Sequence, residues 1–124
     1  MARSDGATAW CPAWSSAPFE LLIAPDHHQA RFSGARTDVT AVAVLLRNGL
    51  QALRDAQDDP DYVVPIHSAP AGVDWHVHVW PRLQVPGGFE LGTGLGVTTT
   101  PPDAAAEVLR SALPETRQTL MELP

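Results

Sequence analysis

The segment Trp75-His76-Val77-His78-Val79-Trp80 holds the residues of this chain best suited to chemistry. Read as a strand, its side chains alternate between faces. His76, His78 and Trp80 then share one face, and Trp75, Val77 and Val79 share the other. Two imidazoles at i and i+2 can converge on a single ion. His67 precedes them on another predicted strand and adds a third imidazole from the side if the two strands pair. Three neutral imidazoles suit zinc, or iron with a mixed shell, and leave room for a fourth ligand. The competing reading is a set of half-buried, hydrogen-bonded polar residues, because two-residue spacing is a loose pattern. His27 and His28 are adjacent in a polar stretch and read as a solvated pair or a local cap. Cys11, the sole cysteine, has no activating neighbour in sequence and reads as a small apolar filler.

A second signal is the glycine-rich stretch from Gly87 to Gly96. Glycines let a backbone approach a ligand and offer its amides. The alternative is a bulged strand packed closely on a helix. The spacing is not that of a dinucleotide fingerprint, and no helix is expected to open directly from these glycines, as that fold requires.

These residues need elements to position them. Phe19 to Ala24 is an apolar run of strand length closed by Pro25. Thr37 can cap a helix beginning at Asp38, and Val39, Val42, Leu46, Leu50 and Leu53 form its apolar stripe. That helix should end before Asp58-Asp59-Pro60. Tyr62 to His67 reads as a strand in which Pro65 marks an edge or a bulge. Ser68 to Val73 reads as a loop, and Asp74 to Trp80 as the strand that carries the histidine pair. The short link between those two strands favours a hairpin. Phe89 to Thr99 reads as a glycine-loosened strand. Thr100-Pro101-Pro102-Asp103 starts a last helix, with Thr100 as cap and Ala105, Val108, Leu109 and Ala112 as its buried face; Pro114 ends it, and the tail from Glu115 has the pattern of a further short helix. Met1 to Ala9 reads as a frayed, disordered start. This order gives an α+β domain: an antiparallel sheet with two helices packed on it.

Composition narrows the function classes. With 124 residues, one domain spanning 1–124 is the natural count. A net charge of −6 gives neither a basic nucleic-acid footprint nor a polybasic membrane patch. It also repels phosphate-bearing ligands at long range, so any such ligand needs a local site. One cysteine permits no internal disulfide, and with no apolar leader or membrane-length run the expected setting is cytoplasmic.

From about Cys11 to Leu113 the chain resembles the C-terminal half of the galactose-1-phosphate uridylyltransferase family and its ADP-glucose phosphorylase-like relatives. The resemblance is carried by PFELLIAPDHH, IHSAP, WHVHVWPRL, GGFELGTG and PPDAAAEVLR, in the family's order. It implies a histidine-triad-like half-domain. In some members the second half gives three histidines to a metal, with an acidic ligand from the first half; His67, His76 and His78 fall on those positions, with zinc or iron as the implied ion. Gly88, Phe89, Glu90, Gly92 and Thr93 fall in a stretch that touches the nucleotide sugar, often from the neighbouring subunit. His28 matches a recurrent histidine, but Asp26 and His27 stand where basic residues are usual.

The family's nucleophile lies in a His-Pro-His-x-Gln motif of the first half, and this sequence contains no His-Pro step. No catalytic residue is therefore assigned. Trp80 stands where an ordinary histidine triad has its third histidine, and His78 stands in the middle position. The implied function is part of a UDP-glucose–hexose-1-phosphate uridylyltransferase-like nucleotidyltransferase. Its ligands would be a nucleotide sugar and a hexose 1-phosphate, and its partner a complementary N-terminal half or a second copy. The alternatives are a catalytically silent binding module or gene remnant, and a small histidine-triad-like hydrolase using His78.

Overall fold

A computed structural model describes residues 2–32, 38–68 and 74–113 of the chain. Its order is β1 (Ala2–Ser4), β2 (Ala7–Trp10), β3 (Leu21–Pro25), α1 (Asp38–Ala56), β4 (Tyr62–Val63), β5 (Ile66–His67), β6 (His76–Pro81), α2 (Gly88–Thr93) and α3 (Pro102–Ser111). The strands form one antiparallel sheet in the order β1-β2-β3-β6-β4, with β5 also paired to β6. Helix α1 lies across β1, β2 and β3, and α3 packs on α1. No helix among the described residues is long and apolar enough to cross a membrane.

The alternation of β6 sets the layers. Trp75, Val77 and Val79 are buried toward α1, whereas His76 and His78 are half-buried on the opposite face. Trp75, Leu21, Ile23, Leu45 and Leu109 are among the largest fully buried side chains, so sheet, α1 and α3 share one core. The Trp75 indole N–H donates to Gln29 Oε1 at 3.4 Å, which satisfies its one polar atom.

Several expectations hold. The strand expected over Phe19 to Ala24 is present as β3, which begins at Leu21 and takes in Pro25, and the helix over 38–56 and the pairing of the two strands around the 69–73 connection are present as well. Pro65 does mark a break. It separates β4 from β5, and its carbonyl accepts from His78 N–H at 3.0 Å. Proline has no N–H of its own, so an edge position is where it is tolerated. The left-handed Asp58 (φ 56°) and Asp59 (φ 51°) reverse the chain after α1. The Thr37 cap, the Pro114 stop and the further helix lie outside the described residues.

Other expectations are corrected. Ala2 to Ala9 are not frayed: β1 and β2 form a hairpin through the positive-φ Gly6, and Ala7 and Ala9 are buried beneath α1. Small residues conceal this strand from a hydrophobicity pattern, yet they are what lets a helix sit close. Helix α1 buries Ala41, Val42, Leu45, Asn48, Ala52 and Leu53, so its inner stripe is rotated from the expected one; Val39 is exposed and Leu46 and Leu50 are half-buried. Gly49 explains the rotation. A Cβ there would lie 2.6 Å from Leu21 Cδ2, so the glycine side of the helix faces β3.

Phe89 to Thr99 is not a strand. Gly88 to Thr93 form α2, so a helix does open from the glycines. Glu90 reaches back to accept from Gly87 N–H at 2.8 Å, and Gly94, at φ 73°, ends the helix. The cap of α3 is Pro101 rather than Thr100, and Val108 is exposed while Leu113 is buried.

Candidate functional site

The face of β6 opposite α1 gathers the histidines. Residue His67 is register-paired with His76, and Val63 with Trp80, so β4 and β5 present their side chains beside the β6 row. The rings of His67 and His76 are stacked, with centroids 4.7 Å apart and planes 20° apart; His67 and His78 are 6.1 Å apart. His76 Nδ1 lies 3.0 Å from the Asp74 carbonyl oxygen, which fixes that ring through a backbone acceptor. The three imidazoles expected to converge therefore do share one face.

Their donor type suits zinc or iron, but their present arrangement does not close around an ion. Among the described residues no group of three or more His, Cys, Asp or Glu side chains is placed to hold one. The cause is visible in the rings. Stacking turns His67 and His76 side by side, and His78 is engaged elsewhere. His67 is held below the ordinary imidazole value of 6.5, chiefly by desolvation and then by the neighbouring His76 and His78. A neutral imidazole is the form able to ligate.

His78 is engaged by Glu20, a residue that sequence reasoning passed over. Glu20 is only 1% exposed. Its Oε1 accepts from Ser16 N–H at 3.0 Å and from Ser16 Oγ at 2.7 Å, and its Oε2 is 3.2 Å from His78 Nε2. Phe19, directly before it, adopts a left-handed φ of 61°, a rare conformation for an aromatic residue. That turn leads into β3 with Phe19 and Glu20 both inside. Trp14 meets the His78 ring edge-on at 6.3 Å, and Trp80 stacks on it at 5.9 Å with planes 8° apart. The available sequence signal was a lone acid inside the apolar run Phe19 to Ala24.

The other candidate residues lie apart from this cluster. Gly88, Phe89, Glu90, Gly92 and Thr93 are all on α2, which buries none of its residues. Glu90 serves the helix start, and Thr93 Oγ1 donates to the Phe89 carbonyl at 2.7 Å, so both polar side chains are used locally. A cleft of about 550 Å³ lies between this segment and the β4–β6 edge, with Val63, Trp80, Leu91, Leu95 and Val97 in its walls. His27 is exposed, and His28 reaches Asp74 Oδ2 at 3.0 Å, a pairing that ties the 26–32 loop to β6. Cys11 packs against the core, and burial pushes its thiol up to about 11, which fits a filler rather than a nucleophile.

Comparison with known proteins gives these features a family. No family model matches the sequence. The chain is 34% identical over 109 residues to ADP-glucose phosphorylase of Arabidopsis thaliana, covering 80% of itself and 31% of that protein. It superposes on the crystal structure of an Arabidopsis thaliana ADP-glucose phosphorylase with bound ADP-glucose at a TM-score of 0.78 and 32% identity, over 89% of this chain and 39% of that one. A GalT-like protein of Arabidopsis thaliana gives a TM-score of 0.78 at 30% identity, over 93% and 40%. A Hit-like protein of Bartonella henselae, 19% identical, shares the fold at a TM-score of 0.67, over 89% of this chain and 82% of that one. The chain thus spans well under half the length of the relatives it matches at 30% identity or more. With its antiparallel sheet, its histidine-bearing β6 and these matches, the chain belongs to the galactose-1-phosphate uridylyltransferase-like and ADP-glucose phosphorylase family, as one half-domain with the histidine-triad-like fold.

Proposed function

We propose that this chain acts as the second half of a sugar-nucleotide nucleotidyltransferase or phosphorylase, working with a first half that carries the nucleophilic histidine. One observation carries the reading: 34% identity to ADP-glucose phosphorylase over 109 residues, confined to 31% of that protein's length. The absence of a His-Pro step supports a division of labour in which this half does not attack phosphorus. The relative's name makes ADP-glucose, rather than UDP-glucose, the first nucleotide sugar to test, with a hexose 1-phosphate as the other product or substrate. A cytoplasmic setting is part of the same proposal.

Gly88, Phe89, Glu90, Gly92 and Thr93 are proposed to approach the nucleotide sugar; their exposure on α2, beside the apolar cleft, supports this. His67, His76 and His78 are proposed ligands of zinc or iron, supported by their shared face and by the lowered proton affinity of His67. Closing such a site requires His67 to leave its stack on His76. Elemental analysis of chain purified at neutral pH tests the metal separately from the activity.

The half-enzyme reading is tested by complementation. Arabidopsis ADP-glucose phosphorylase lacking the matched stretch is mixed with this chain, and phosphorolysis of ADP-glucose is followed. The chain alone should give no turnover, and the mixture should restore it. Turnover by the chain alone, or a mixture that neither associates nor reacts, overturns the proposal.

A further inference from the structure

We infer that Glu20 is the positioning residue for His78: it holds the ring as the Nε2–H tautomer, so that any ligation or attack by His78 proceeds through Nδ1. The inference deepens the proposed role of this face, but it rests on the Glu20 site itself.

The hydrogen-bond inventory around Glu20 leaves little freedom. A backbone N–H can only donate, so the Glu20 oxygen facing Ser16 N–H, at 3.0 Å, must accept. The Ser16 hydroxyl, 2.7 Å from the same oxygen, adds a second donor. The other oxygen, Oε2, meets His78 Nε2 at 3.2 Å. An ionised Glu20 accepts at both oxygens, so beside a neutral His78 this geometry calls for the proton on Nε2 and the lone pair on Nδ1. No described residue makes a hydrogen bond to Nδ1 of His78.

Three further features fix the ring in this orientation. Glu20 is 1% exposed and cannot exchange its partners for solvent. Trp80 lies parallel to the imidazole and Trp14 meets it edge-on, so a ring flip would have to pass both indoles. The left-handed turn at Phe19 delivers the carboxylate to this place, and such conformations persist where the surroundings hold them. The same carboxylate occupies Nε2 of His78, which leaves Nδ1 as the nitrogen through which the ring would reach an ion.

The test is nitrogen-15 NMR of the histidine side chains in the chain free of substrate and metal. His78 should show a protonated Nε2 and a bare Nδ1. Glu20→Gln should invert this. The amide oxygen must still face the Ser16 donors, which turns the NH2 group toward Nε2, makes that nitrogen an acceptor and moves the proton to Nδ1. A side chain that merely filled space would leave the tautomer unchanged. Protonated Nδ1 in the wild-type chain, or an unchanged tautomer in folded Glu20→Gln, overturns the inference. If Glu20→Gln does not fold, zinc added to the wild-type chain decides: perturbation at Nε2 overturns the inference, and perturbation at Nδ1 or none at His78, with Nε2–H retained, upholds it. Because no substrate or partner half enters these measurements, a failed complementation leaves their outcome intact.

Discussion

His67 shows how three imidazoles on one face constrain each other. Its affinity for a proton is lowered from the ordinary 6.5 by desolvation first and by the positive charge of His76 and His78 second. In the unfolded chain those neighbours disperse and His67 returns to its ordinary value. As pH falls below about 6.5, the unfolded chain therefore takes up a proton before the folded chain does, and the folded state loses stability until its own lower value is passed. Above that range both states are neutral at this site and the contribution is constant. The side chain is exposed, so the loss is small, and its sign is the measurable quantity. Urea unfolding at about pH 7.5 and about pH 5.5 should show His67→Gln losing less stability on acidification than the wild type. An unchanged difference between the two pH values would show that neither desolvation nor the neighbouring histidines lower the proton affinity of His67.

At the scale of elements, the rotation of α1 is the informative result. Periodicity alone fits a stripe through Leu46 and Leu50 as well as one through Leu45 and Ala52, because an alanine carries no hydrophobic signal that competes with leucine. The structure chooses the second, with Leu45 at 1% exposure, Ala52 fully buried and Gly49 set against Leu21. Leu45→Ala should cost about 2–5 kcal/mol, because it removes a core side chain and leaves a cavity between helix and sheet. Leu46→Ala, at a half-buried position, should cost clearly less in the same chemical denaturation experiment. Equal losses would place the helix in the other rotation. The α2 segment teaches a related lesson. Glycines that read as a loosened strand become a short helix because Glu90 returns to the Gly87 N–H and Gly94 accepts the left-handed stop.

Across the whole molecule, the chain after α2 returns to the loop before β3. Gly96 makes the contact: a Cβ there would lie 2.3 Å from Ser16 Cβ and 2.8 Å from the Ser16 carbonyl oxygen. Backbone cannot yield as a flexible side-chain tip can, so one of the two segments must move. Gly96→Ala should destabilise by about 1–3 kcal/mol in chemical denaturation, the usual cost of overpacking. Its second effect is at a distance. Ser16 grips Glu20, and Glu20 holds His78, so the substitution should also shift the His78 ring resonances although residue 96 is not on β6. Stability loss without any change at His78 would show that the loop and the histidine are uncoupled.

The sequence by itself determined the alternating faces of β6, the helix over 38–56, the edge break at Pro65 and, through an ordered series of segments, the family. Each of these is local: strand alternation, helical spacing and the backbone limits of proline act within a few residues. Tertiary structure decided the rest. The β1–β2 hairpin is built of small residues whose burial comes from α1 above them, not from their own hydrophobicity. The rotation of α1 was set by the close approach of Gly49 to Leu21. Above all, the partner of His78 is 58 residues away in sequence, so no spacing rule within β6 could name it. A buried carboxylate finds its donors in space, and only the packing of the Ser16 loop, β3 and β6 brings Glu20 and His78 together.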